Sequence, residues 1–219
     1  MRLRNKPWVS EAIAEYDFVY SKERPADETQ RGRWREVMGV SPDTPLFVEL
    51  GTGKGDFITR LAAGHPEAAF IGIEVQQVVL YSAAKKLKEA APPLTNVRLL
   101  AFDINDLERI FAPGEVSGFF INFCDPWPKA RHAKRRLTHR NFLSRYRKLL
   151  AAGGKLSFKT DNRPLFDFSL EEFRAAGLRV EDISNDLHRE NRPDNIETEY
   201  ERKFSRFGEK INRCEVYFP

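Results

Sequence analysis

Asp125 sits where an apolar run stops. Residues 117 to 129 read Ser-Gly-Phe-Phe-Ile-Asn-Phe-Cys-Asp-Pro-Trp-Pro-Lys, so a buried strand delivers a carboxylate that is flanked by two prolines and a tryptophan. The seven residues after Lys129 carry four fixed positive charges, Arg131, Lys134, Arg135 and Arg136, with His132 among them. A carboxylate at the rim of a site whose entrance attracts polyanions points to chemistry on a nucleic acid.

The overall charge hides this concentration. Against 32 acidic residues stand 36 basic ones, a net of only +4. The window from Lys129 to Arg140 holds six Lys/Arg and no acid, so it alone is +6 and the remainder sums to −2. A charge run by itself is commonly a solvated loop. Directly behind a strand that ends in a carboxylate, it reads as a set of phosphate contacts.

A second constellation lies upstream. Glu49-Leu-Gly51-Thr-Gly53-Lys-Gly55 joins a strand to a helix, and closely spaced glycines let the main chain turn tightly and approach a ligand at the helix N-terminus. Acids end the next two strands, Glu74 after Ile71-Gly-Ile and Asp103 after Leu99-Leu-Ala-Phe. In doubly wound sheets the ligand crevice lies beyond the carboxyl ends of the strands, and an acid about 20 residues past the glycines can accept from ribose hydroxyls. Glu74 is 19 residues past Gly55. Asp103 is placed to meet an adenine edge, and either acid alone could instead cap a helix. The glycine spacing is Gly-x-Gly-x-Gly, with Asp56 where a dinucleotide fold wants its third glycine, and the loop lacks the Gly-Lys-Ser/Thr ending of a phosphate cradle. S-adenosylmethionine suits the pattern better than either.

The elements that must position these groups alternate from about residue 45. Strands are expected at Leu46–Leu50, Ala69–Glu74, Val97–Phe102, Gly118–Cys124, Lys155–Thr160, Leu178–Ser184 and Arg213–Phe218. Helices fill the gaps. One begins near Gly55; a second carries Val79, Ala83, Leu87 and Ala90 on one face; a third starts from Thr138 as N-cap and is terminated by Gly153-Gly154; a fourth buries Phe166, Leu170 and Phe173. A short helical segment is expected over Thr198 to Phe207. The alternation implies an α/β fold with a doubly wound, mostly parallel seven-stranded sheet and a C-terminal antiparallel strand. Residues 1–44 lack the pattern and read as an N-terminal extension, with residues 45–219 as the single domain.

Several classes are set aside. The two cysteines, Cys124 and Cys214, lie far apart in apolar runs, which suits buried thiols in a reducing compartment. The first residues show no secretory h-region and no stretch is apolar enough to span a membrane, so a cytoplasmic protein without a membrane partner is expected. His65, His132, His139 and His188 show no metal-ligand spacing, and no metal is expected. Oligomeric state leaves no signal.

Taken in order, Glu49-x-Gly51-x-Gly53-x-Gly55, Gly72-Ile-Glu74, Phe123-Cys-Asp125-Pro-Trp-Pro-Lys129, His132-x-Lys134-Arg-Arg136, Thr160-Asp161 and Thr198-x-Tyr200-Glu201 resemble the bacterial tRNA (guanine-N7-)-methyltransferase family over residues 45 to 219. The Asp-Pro-Trp-x-Lys and Lys-Arg-Arg segments are far more specific than the glycine turn. The resemblance implies a Rossmann-like class I methyltransferase that moves a methyl group from S-adenosylmethionine to N7 of a guanine in the variable loop of tRNA. It further implies that Glu49, Glu74, Asp103 and Asp125 line the cofactor site, with Asp125 catalytic. Lys129, Asp161 and the Thr198, Tyr200 and Glu201 motif would meet the substrate. The segment Arg131 to Arg136 would bind the RNA backbone.

Some residues keep two readings. Trp127 either stacks on a base or packs its own loop down. Asp161 could cap the following helix, and Thr198 with Glu201 fits a capping box. Two other functions remain: a methyltransferase acting on an exocyclic amine of DNA or RNA, and a non-catalytic RNA-binding protein.

Overall fold

The computed structural model describes residues 8–190, 192–193, 195–205 and 208–219, without the side chains of 204 and 205. The last expected helical residue, Phe207, and the first seven of the expected extension lie outside the described residues. The architecture is α/β, a mostly parallel eight-stranded sheet with alternating helices and one antiparallel strand near its C-terminal end. Two compact units divide the chain, Met1–Ala112 and Pro113–Pro219.

In the first unit the elements are α1 (Trp8–Ala14), β1 (Val19–Tyr20), α2 (Trp34–Met38), β2 (Leu46–Leu50), α3 (Asp56–Gly64), β3 (Ala69–Ile73), α4 (Gln77–Lys88), β4 (Val97–Leu100) and α5 (Leu107–Ile110). Strand order is β1-β4-β3-β2, each pair parallel. All five residues of β3 are buried, the continuous apolar reading of a parallel strand covered on both faces. β1 is the strand that the sequence pattern did not reveal, because two residues carry no period. Its segment is pinned by Trp34, fully buried, whose indole N–H donates to the Ile110 carbonyl at 2.8 Å and whose ring lies against Tyr20 and Phe111. On α4 the buried residues are Leu80, Ala83, Ala84 and Leu87, so the face turns slightly from the expected Val79 and Ala90.

The second unit contains β5 (Val116–Asn122), α6 (Arg140–Leu149), β6 (Leu150–Thr160), α7 (Arg163–Ala175), β7 (Arg179–Ser184), α8 (Glu199–Ser205) and β8 (Asn212–Tyr217), with 3-10 turns at Ala130–Arg135 and Leu187–Glu190. Order is β5-β6-β8-β7: β5 and β6 are parallel, and β8 inserts antiparallel to both of its neighbours. The α6 cap differs from expectation. His139 is the N-cap, its ring nitrogen paired with the Asn141 N–H, while Thr138 is fully buried with its hydroxyl 2.7 Å from that of Ser169. Gly153-Gly154 do not end the helix either, since Leu149 passes directly into β6. Phe158, Phe166 and Phe173 pack their rings together beneath α7, as the helical spacing implied.

Candidate active site

Three parallel strand ends of the first unit carry the expected cofactor residues. Glu49, nearly fully buried at the end of β2, accepts the Thr52 hydroxyl at 2.5 Å. The turn that follows is tied down by the N–H groups of Gly51 and Thr52, both donating to the Ile73 carbonyl at 2.9 Å. Gly51, Gly53 and Gly55 have φ of 81°, 56° and 75°, the left-handed region that side chains disfavour. A Cβ at Gly51 or Gly53 would meet no protein atom within 4 Å, so the turn offers bare main chain to open space, which fits a ligand lying against it. At Gly55 the reason is packing, because a Cβ would lie 2.6 Å from that of Ala83 on α4.

Glu74 leaves β3 with its N–H donating to the Leu100 carbonyl and its carboxylate accepting from the Gln76 N–H at 3.0 Å. Beside it Val75 is 63% exposed, an apolar surface at a polar strand end that sequence reasoning passed over. Asp103, exposed beyond β4, caps a 3-10 turn by accepting from the Asn105 backbone and side chain at 2.8 and 2.9 Å. Its capping role is thus present, and its position at the third strand end is the one the ligand reading requires.

In the second unit β5 ends at Asn122 and the chain enters an unusual loop. Phe123 and Trp127 have φ of 54° and 43°, left-handed values that non-glycine residues rarely adopt and that concentrate at functional sites. Between them Asp125 is exposed. Phe123 donates its N–H to the Lys159 carbonyl at 2.9 Å, and its ring lies 5.0 Å from that of Tyr200 on α8. The Tyr200 hydroxyl donates to Asp161 at 2.9 Å. Burial, then the Asp161 carboxylate, pushes the phenol up to about 12, so it remains a donor. Asp161 and Tyr200, each expected at the substrate, therefore meet each other, with Phe123 as the third member.

Thr198 and Glu201 do something else. The Glu201 N–H donates to the Thr198 hydroxyl at 2.9 Å and the Thr198 N–H to the Glu201 carboxylate at 3.3 Å, a reciprocal capping box at the start of α8. Glu201 is 0% exposed and pairs with Lys159 at 2.9 Å, itself 4% exposed. Lys159 also donates to the Asn195 side chain and the Ile196 carbonyl, and the Asn195 amide donates to the other Glu201 oxygen at 2.9 Å. Sequence reasoning missed Lys159. A lysine within an apolar strand was the available signal, since such a charge must find a partner.

The basic segment also divides. Lys129, Arg131, Lys134 and Arg135 are exposed. The Arg135 guanidinium lies 4.8 Å over the Trp127 ring, whose edge meets His132, so Trp127 is held by its own loop. Arg136 is half-buried and turned inward, donating to the Pro126 and Trp127 carbonyls at 3.1 Å each. Burial and then Asp125 push the Cys124 thiol up to about 12, keeping it neutral. Among the described residues no cluster of three or more His, Cys, Asp or Glu could hold a metal, and no helix is long and apolar enough to cross a membrane.

A family model described as "Putative methyltransferase" matches residues 43–214. The tRNA (guanine-N(7)-)-methyltransferase of Geobacillus kaustophilus is 50% identical over 100% of this chain and 98% of its own length. That of Bacillus subtilis is 46% identical over 99% and 98%. The chain belongs to the tRNA (guanine-N7-)-methyltransferase family. Among solved structures, the 16S rRNA methyltransferase KamB aligns with a TM-score of 0.63 at 14% identity, over 91% of this chain and 94% of that one. An antibiotic-related methyltransferase aligns at 0.60 and 19% identity, over 84% and 91%. At such identities these neighbours speak for the Rossmann-like methyltransferase fold alone.

Proposed function

We propose that the protein transfers a methyl group from S-adenosylmethionine to N7 of a guanine in the variable loop of tRNA, in the cytoplasm. The observation that carries this reading is identity of about half the residues, along the whole chain, to relatives named for that activity. Glu49, Gly51, Gly53, Gly55, Glu74 and Asp103 hold the cofactor against bare main chain, the acids accepting from ribose hydroxyls and the adenine edge. When bound, the cofactor supplies a methyl carbon on a positively charged sulfur.

Guanine N7 already presents a lone pair, so no base need remove a proton. Asp125 accepts from the N–H groups on the guanine's Watson–Crick edge and offsets the positive charge arriving on the purine. Tyr200, 41% exposed beside Phe123, offers a ring face to a base, and Asp161 holds its hydroxyl. Glu201 and Thr198 serve by fixing Tyr200 rather than by touching RNA. Lys129, Arg131, Lys134 and Arg135 meet phosphates, which makes affinity fall as salt rises.

The test is to incubate the protein with labelled cofactor and unmodified tRNA, then digest to nucleosides. Label in 7-methylguanosine is expected. Label on an exocyclic amine, or none with cofactor bound, overturns the reading.

A further inference from the structure

We propose that Arg136, which the sequence places among the phosphate contacts, is instead a positioning residue that holds the Asp125 loop by its carbonyls; the proposal rests on the catalytic reading of Asp125. The loop's composition creates the need. Pro126 and Pro128 have no N–H, so this stretch has two fewer backbone donors with which to tie itself down. Its carbonyls remain, and they need an external donor.

Arg136 supplies one with two prongs. Its Nε donates to the Pro126 carbonyl and a terminal nitrogen to the Trp127 carbonyl, each at 3.1 Å, the two residues that follow Asp125 directly. A guanidinium spans two adjacent acceptors as a rigid fork, whereas a lysine presents one compact ammonium. The guanidinium lies 4.2 Å over the Phe168 ring on α7. That helix is anchored in turn, through Ser169 to Thr138 and through Glu172 to the Arg140 backbone at 2.7 Å. The left-handed Trp127, at φ 43°, is thereby clamped at its carbonyl by Arg136 and at its ring by Arg135. A group engaged on two carbonyls and a ring face is committed to the loop. Its neighbours Arg131, Lys134 and Arg135 are the exposed cations.

The test compares full-length wild type, Arg136→Lys and Arg136→Ala. Three quantities are read: melting temperature with cofactor affinity, the slope of tRNA affinity against salt, and the single-turnover rate at saturating tRNA and cofactor. A misplaced reacting group costs on the order of 10²-fold, so the rate should fall about 10- to 100-fold in both variants while the salt slope stays at the wild-type value. Ethylguanidinium should restore part of the Arg136→Ala rate, and ethylammonium should not.

A salt slope reduced by about one unit in Arg136→Ala, with the saturated rate intact, would make Arg136 a phosphate contact and overturn the proposal. Should Arg136→Ala fail to fold, Arg136→Lys decides through fluorine NMR of fluorotryptophan-labelled protein, the Trp127 signal being assigned with Trp127→Phe. An unmoved Trp127 resonance overturns the proposal, and a shifted one supports it. That spectrum does not depend on turnover, so a protein that fails to make 7-methylguanosine would refute the proposed function while the brace is still judged by the resonance.

Discussion

The turn at residues 51–55 and the loop at residues 123–129 both leave the C-terminal end of a buried strand and both run through left-handed main chain. The first does so with Gly51, Gly53 and Gly55, the second with Phe123 and Trp127. Glycine adopts that region without steric penalty, so the first turn is secured by local bonds to Ile73 and leaves main chain open to space at Gly51 and Gly53. Side chains in the same region carry strain of order 1–3 kcal/mol each, and surrounding structure must over-determine them. Hence the second loop is held from outside itself, by the Arg136 guanidinium as donor, the Lys159 carbonyl as acceptor and the Tyr200 ring. One device spends flexibility to bare its main chain. The other stores strain to fix a carboxylate.

The largest expected effect comes from removing what over-determines the second loop. Glu201→Ala leaves Lys159 buried without its carboxylate and the Thr198 N–H without its half of the capping box, and breaking a buried pair from one side costs about 3–5 kcal/mol. Chemical denaturation should show that loss, and a stability equal to wild type would mean the pair does not hold α8. Next, Asp125→Asn should lower the saturated rate about 10²- to 10³-fold, the scale on which one charge-stabilising group acts. Unchanged turnover with cofactor bound would remove Asp125 from the chemistry.

The glycine turn gives a smaller and more selective response. Gly55→Ala combines φ of 75° with the overlap on Ala83, so it should destabilise by at least about 1–3 kcal/mol. Gly51→Ala bears the conformational penalty at φ 81° without an overlap, and should lose less stability while weakening cofactor affinity measured by calorimetry. If both variants lose the same stability, the distinction between a packing glycine and a ligand-facing one fails.

This contrast also accounts for what the sequence disclosed. Glycine spacing and helical periods are local signals, so the first unit's glycine turn and most elements were legible. Val19–Tyr20 escaped because two residues set no period, and their place depends on the burial of Trp34 among distant partners. Arg136 was legible as a type but not as a role, and Glu201 was legible as half of a capping box but not as the partner of Lys159. Both sit in motifs of charge, and only the fold shows one turned onto carbonyls and the other sealed against Lys159.

The smallest expected effect tests whether rings or hydrogen bonds secure the second loop. Tyr200→Phe keeps the ring against Phe123 and deletes only the bond to Asp161, an exposed bond worth about 0.5–1.5 kcal/mol. The rate should fall a few-fold at most. In the wild type the folded phenol, at about 12, lies above the ordinary value of 10.0. Because the folded value is raised, the associated stability is fully present below pH 10 and is lost as pH climbs from about 10 to 12. Burial also raises Tyr16 and Tyr146, so tyrosinate absorbance above pH 10 should show one high-titrating tyrosine fewer in Tyr200→Phe than in wild type. A Tyr200 that ionises near its ordinary value would separate Asp161 from it, leaving the ring contact with Phe123 to join this residue to the loop.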